Sequence, residues 1–279
     1  EFNGTFKTFG TDKILKDVSN QVEAGAKHIS FNDPDFFNGP KHALKILKAL
    51  NNEHPEITYD STIKVEHILK YPDYFKELKN LKMLFVISAF ETTNDKVLNI
   101  LKKNHTSSDL NNAVELSLSN SIDIRPTWMP FSPWTKKQDL PNIIRLIEEY
   151  KLRETVDPIQ LTIKLLVPKN SLILNNPEID NYLEEYDPAS FSYSWKYKSP
   201  DMDKLQIDLF TYVLQNESLD EYAQYLGIVK IIEQHTEQNL LESGDYNQRI
   251  VPKLSETWFC CSEPNKIQLE RIKSNKALI

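Results

Sequence analysis

Residues 83–90 read Met-Leu-Phe-Val-Ile-Ser-Ala-Phe, and the class of fold turns on how that run is placed. Apolar residues follow one another without the alternation that marks a strand with one wet face. A continuous run of this kind fits a strand of a parallel sheet, buried on both sides. It is far too short to span a bilayer.

The neighbouring segments alternate in type. Thr11 and Asp12 begin a helix with Ile14, Leu15, Val18 and Val22 on one face, and Gly25 ends it. Residues 28–31 read as a strand. Gly39-Pro40 opens a second helix, with proline in the first turn, where no N–H is needed, and Leu44, Leu47 and Leu50 turned inward. A strand is expected over 57–63, and a helix interrupted at Pro72 over 65–81. Further helices are expected over 95–103 and 107–120, a strand over 122–128, a helix from Asp139 and a strand over 158–167. Strands alternating with amphipathic helices predict an α/β protein with a parallel sheet and helices outside. Right-handed crossovers of this kind close into a barrel or partial barrel. Beyond Pro168 the composition shifts. Residues 175–200 are rich in Asn, Pro, Ser, Tyr and Glu and read as a long loop, with helices resuming over 201–215 and 219–242. The reading therefore divides the chain into a partial (β/α) TIM-type barrel over 1–172 and a mainly helical extension over 173–279.

The net charge of −7 and the pI near 5.5 leave no basic field for a phosphate backbone, so nucleic acid is excluded as the main partner. No secretory signal opens the chain, no membrane partner is expected, and no glycine-rich phosphate loop is present. The only cysteines, Cys260 and Cys261, are adjacent, which excludes a disulfide framework and points to the cytoplasm. The opening residue is not methionine, so the chain reads as processed, trimmed or incomplete.

In parallel barrels the chemistry sits at the C-terminal ends of the strands. The polar residues there are Asn32, Asp33 and Asp35; Ser61, Thr62 and Lys64; Ser88 and Glu91; Arg125, Thr127 and Trp128; and Lys164. Any one of them also suits a helix cap or a loop hydrogen bond. His28, His42, His67 and His105 show no metal-ligand spacing, and His28 reads as a hydrogen-bonded core histidine. Trp128, Phe131 and Trp134 form an aromatic–proline loop that suits either packing or a wall against adenine or substrate.

Three stretches together resemble radical S-adenosylmethionine (radical SAM) enzymes: GAKHISFNDPDFFNGPKHALKILKAL (25–50), FVISAFETTNDKVLNILKKNHT (85–106) and IDIRPTWMPFSPWT (122–135). The tail WFCCSEP (258–264) is similar to that of the CUAEP/CCAEP-tail subgroup. The resemblance implies a partial barrel with a [4Fe–4S] cluster on a CxxxCxxC loop after the first strand. It also implies S-adenosyl-L-methionine on the open iron, a reductant for the cluster, and a 5′-deoxyadenosyl radical acting on a small-molecule or peptide substrate. Carried over by position, Asn32 and Asp33 receive the methionine amino group and Glu91 meets the ribose hydroxyls. Arg125 meets the methionine carboxylate or a substrate, and Asp35 joins this cofactor set by ordering the loop or faces substrate. Cys260 and Cys261 take a redox or sulfur/selenium role, or are packed cysteines.

Two departures stand out. The sequence contains no CxxxCxxC, so the chain as given is expected to be inactive and to lack the first barrel strand, leaving an unpaired edge and poor solubility. Asn32 and Ser262 stand where the subgroup usually has glycine and alanine. Two other readings remain: a divalent-metal barrel hydrolase or lyase using Asp33, Asp35 and Glu91 as ligands, and a non-catalytic barrel remnant.

Overall fold

A computed structural model describes residues 7–241, 246 and 248–252. The expectations for Cys260, Cys261 and the rest of the tail lie outside the described residues. The chain runs α1 (Thr11–Glu23), β1 (His28–Phe31), α2 (Pro40–Glu53), β2 (Thr58–Thr62), α3 (Val65–Lys70), α4 (Pro72–Glu77) and β3 (Met83–Glu91). It continues through α5 (Asp95–Ile100), α6 (Ser107–Ser119), β4 (Asp123–Trp128) and α7 (Asp139–Glu149). The four strands pair in parallel in the order β1-β2-β3-β4. Local chemistry sets several boundaries. Gly25, at φ 101°, turns the chain out of α1 in a region that favours glycine. Pro72 starts α4 where α3 has ended, because proline adds no N–H to the first helix. Thr106 and Asp109 cap α6 reciprocally.

The sheet has two unlike faces. Tyr59, Val86, Phe90, Ile124 and Trp128 join one apolar cluster that runs from Val18 to Leu240 and takes in all the longer helices. The alternate positions, Ser30, Asp60, Phe85 and Arg125 among them, turn to the opposite face. Among the described residues the longer helices pack on the first of these faces.

Two expectations are corrected. The strand expected over 158–167 is a 3₁₀ helix at Pro158–Thr162, followed by an isolated parallel bridge between Lys164 and Phe131, beyond the end of β4. Gln160 supplies what an adjacent strand would have supplied there: its side-chain oxygen accepts the Trp128 N–H at 3.0 Å. The loop expected over 175–200 contains a hairpin. β5 (Val167–Pro168), β6 (Leu183–Asp187) and β7 (Ser192–Trp195) form an antiparallel sheet in the order β5-β7-β6. Tyr186 and Tyr193 face each other across it with ring centroids 5.1 Å apart, and Asp187 accepts the Ala189 N–H in the turn. The Asn, Pro and Ser content was turn chemistry between strands. Helices α8 (Pro200–Gln215) and α9 (Glu221–Thr236) follow and pack into the same core. No helix among the described residues is long and apolar enough to cross a membrane.

Helix α9 is locked to α7 by a buried charge. Arg153 Nε donates to both Glu148 oxygens, at 2.8 and 3.0 Å, and its guanidinium lies 3.8 Å from the Tyr246 ring centroid. Tyr225 donates to the same carboxylate at 2.6 Å; burial, then the Glu148 charge, raises its hydroxyl well above the usual tyrosine range. Glu148→Ala is expected to cost about 3–5 kcal/mol in chemical denaturation, because it leaves Arg153 buried and unpaired. The Glu148→Ala/Arg153→Met double variant should recover most of that loss.

Candidate functional site

The strand-end residues separate into those already committed to structure and those left open. After β1 the chain turns sharply, with the Asp33 N–H on the Phe31 carbonyl at 2.9 Å and Asp33 Oδ1 accepting the Asp35 N–H at 2.9 Å. Asn32 and Asp33 are exposed, and the Asn32 side chain has no hydrogen-bond partner among the described residues. Asp35 is the reverse case. It is 1% exposed, its Oδ1 accepts the Lys64 N–H at 3.3 Å, and its Oδ2 lies 2.7 Å from His67 Nδ1 and 3.6 Å from Lys64 Nζ. The His67 contact is an ion-pair approach whose angles do not make a hydrogen bond. Asp35 thus clips the post-β1 loop to the start of α3. His67 is likewise taken up in that clip.

Glu91 ends β3 in the left-handed region at φ 62°, beside a bulge in the β3–β4 pairing. For a residue with a side chain that conformation costs roughly 1–3 kcal/mol and persists only where the surroundings enforce it. The Met129 N–H holds the Glu91 carbonyl at 2.9 Å, and Lys103 Nζ pairs with its carboxylate. His105 lies in the same corner. Burial first, then the Lys103 charge, lowers its pKa below the ordinary imidazole value, against a bond to the Phe90 backbone and the pull of Glu91.

Arg125 turns to the face opposite the helices, level with Ile87. It is 9% exposed, lies 5.9 Å over the Phe85 ring and donates from Nη1 to the Pro252 carbonyl at 3.1 Å. No carboxylate among the described residues lies within ion-pair distance of it.

Several other candidates are taken up in the fold. Ser88 donates to the Ile63 carbonyl at 2.7 Å on the helix side. Lys164 donates to the Trp195 carbonyl at 2.8 Å and pairs with Asp203. Trp128, Phe131 and Trp134 are buried in apolar clusters, so the aromatic–proline loop is packing and offers no wall to a ligand. Among the described residues no three His, Cys, Asp or Glu side chains come together as a metal site, and the set Asp33, Asp35 and Glu91 does not converge. The divalent-metal reading falls on that geometry.

Sequence reasoning passed over Asp60, a buried carboxylate in mid-strand, bonded to Ser30 and His28. Its signal was present: an acid between Tyr59 and Ser61, in a strand whose neighbours face the core. His28 is hydrogen-bonded, as expected, but it turns to the polar face and is half-buried rather than part of the apolar core.

No protein-family model matches the chain, and no curated protein does. Solved structures do. The cobalamin-dependent S-adenosylmethionine radical enzyme OxsB with aqua-cobalamin and S-adenosylmethionine bound is similar over 82% of this chain and 42% of its own, with a TM-score of 0.62 and 13% identity. Its apo form is similar over 99% of this chain and 52% of its own, with a TM-score of 0.61 and 12% identity. The chain spans about half the length of these structures or less. The likeness is one of fold: a mixed α/β core of the kind found in that radical enzyme.

Two outcomes follow from the site's chemistry. Asp35→Ala is expected to destabilise the fold by about 3–5 kcal/mol, read in denaturant melts, since it strips the partner from a buried cluster. As pH falls, the unfolded chain takes up the His105 proton before the folded one does. Stability should therefore decline as pH drops through the ordinary imidazole range towards the lower folded value. His105→Gln should flatten that limb of the stability–pH curve.

Proposed function

We propose that this chain is the S-adenosylmethionine-binding core of a radical SAM enzyme. Arg125 carries the reading. A guanidinium 9% exposed with no carboxylate partner among the described residues is costly to bury, and an anion arriving at the site answers that cost. The methionine carboxylate of S-adenosylmethionine has the planar pair of oxygens that a guanidinium binds best. Asn32 is the next residue after Phe31, which pairs with Ser61, and by register it falls near the same height as Arg125. Its amide oxygen and the free oxygen of Asp33 suit the methionine ammonium. Glu91, at the end of β3 and paired with Lys103, would accept from two ribose hydroxyls.

When reductively cleaved, S-adenosylmethionine supplies a 5′-deoxyadenosyl radical. In this chain Arg125 and Asp33 would hold the two charges of the amino-acid end. Glu91 would fix the ribose, and the helix-covered sheet behind them keeps water from one side. A [4Fe–4S] cluster does not fit the residues present: the sequence has no CxxxCxxC, and its two cysteines are neighbours. No step is derived through such a cluster. We further place the chain in the CUAEP/CCAEP-tail subgroup on residues 258–264, with a redox role for Cys260 and Cys261, a small-molecule substrate and a cytoplasmic setting.

Calorimetric titration of the 279-residue chain with S-adenosylmethionine tests the proposal. Saturable binding is expected, and Arg125→Gln and Glu91→Gln should each weaken it by about tenfold or more, the range for a hydrogen bond to a charged group. Absence of binding, or binding unmoved by both substitutions, overturns it.

A further inference from the structure

Asp60 lies in the middle of β2, and Tyr59 and Ser61 on either side of it point to the helices. Its side chain is 3% exposed. The sheet needs no charge there, and a carboxylate is costly to bury unless its charge is answered. The hydrogen bonds it receives fall on one oxygen. Oδ2 accepts from Ser30 Oγ at 2.5 Å and contacts His28 Nε2 at 2.8 Å. Oδ1 accepts none from the described residues, and it is not among the sealed, partnerless atoms of the interior. Ser30, on the adjacent strand, is exposed.

His28 Nδ1 lies 2.8 Å from Thr58 Oγ1, so both ring nitrogens are engaged. The imidazole is stacked on Phe85, with centroids 6.0 Å apart and planes 11° from parallel, and Phe85 is the register partner of Asp60. Arg125 pairs with Ile87, two residues farther along β3, so Asp60 sits about 7 Å deeper on the same face. No Lys or Arg among the described residues is within ion-pair distance of Asp60.

We infer that Asp60 and Ser30 form a docking point for the ammonium group of a small amine-bearing substrate, with His28 as the positioning residue. An ammonium brings three donors and a charge. Asp60 Oδ1 and Ser30 Oγ, which bonds the other oxygen of the same carboxylate, offer two acceptors, and an N–H bond to a carboxylate is about twice as strong as a neutral one. A hydroxyl ligand would satisfy the geometry and leave the charge unanswered; an anion would be repelled. Calling the ligand a substrate rests on the function proposed above, whereas the binding site itself does not.

The test is an amide-resolved NMR titration of the full chain with 1,4-diaminobutane and, separately, with 1,4-butanediol. The diamine should move the Ser30 and Asp60 amides saturably, and the diol should not. Asp60→Asn, close in shape, should weaken the diamine at least tenfold. His28→Gln, which keeps a donor, should retain binding, and His28→Phe should lose it, with thermal melts confirming that each variant is folded. A wild-type chain without saturable shifts at these amides, an Asp60→Asn variant that binds equally well, or a diol that binds as well as the diamine overturns the inference. Calorimetry with S-adenosylmethionine on the same samples separates the two proposals. Retained S-adenosylmethionine binding without amine binding sinks this inference alone, and the opposite pattern sinks only the function proposed above.

Discussion

The parallel pairing of β3 with β2 on one side and β4 on the other is the constraint from which the rest of the molecule follows. Parallel neighbours cannot be joined by a tight turn, so each connection must cross over, and each crossover here contains at least one helix. Helices α2, α3, α4 and α6 bring their buried residues to the face where Val86 and Phe90 of β3 meet the apolar cluster, and α5 packs Val97 into a second cluster with Trp134 and Ile179. The other face is thereby released from making the core, and it is there that Asp60, Arg125 and His28 are found. The same pairing brings the strand ends to one edge, which is why residues as distant in the chain as Asn32 and Glu91 belong to one rim.

Charge divides the polar residues of the molecule more sharply than position does. Asp35 is answered by His67 and Lys64, Glu148 by Arg153, and Lys164 by Asp203. These pairs tie loops and helices together. Arg125 and Asp60 are as deeply placed but incompletely answered, one by a backbone carbonyl and the other on a single oxygen. Burial raises the cost of an unanswered charge because the surroundings screen it poorly. Glu91 lies between the two groups, since it is paired with Lys103 yet held in a strained backbone conformation beside the β3–β4 bulge.

The amino-acid sequence by itself determined the order and type of the elements through β4 and α7. Periodicity in the apolar residues is a local property: the run at residues 83–90, the helix opened by Gly39-Pro40 and the break at Pro72 could each be read where they stand. It also marked Asn32, Asp33, Glu91 and Arg125 as residues at strand ends. Tertiary structure alone decided which of these were available. Asp33 and Asp35 are two residues apart and chemically identical, and only the approach of α3 buries one and leaves the other exposed. The 3₁₀ helix at Pro158–Thr162 and the hairpin of β6 and β7 were hidden for the same reason: a glutamine side chain replaced a strand's hydrogen bond in one, and a cross-strand tyrosine pair formed the other. Asp60 was visible as an acid in a strand, but its meaning depended on Ser30 and His28 arriving from the neighbouring strand through the register of the sheet. Local pattern reflects what a residue does to its own backbone. Whether a charge is answered depends on atoms that only folding brings within reach.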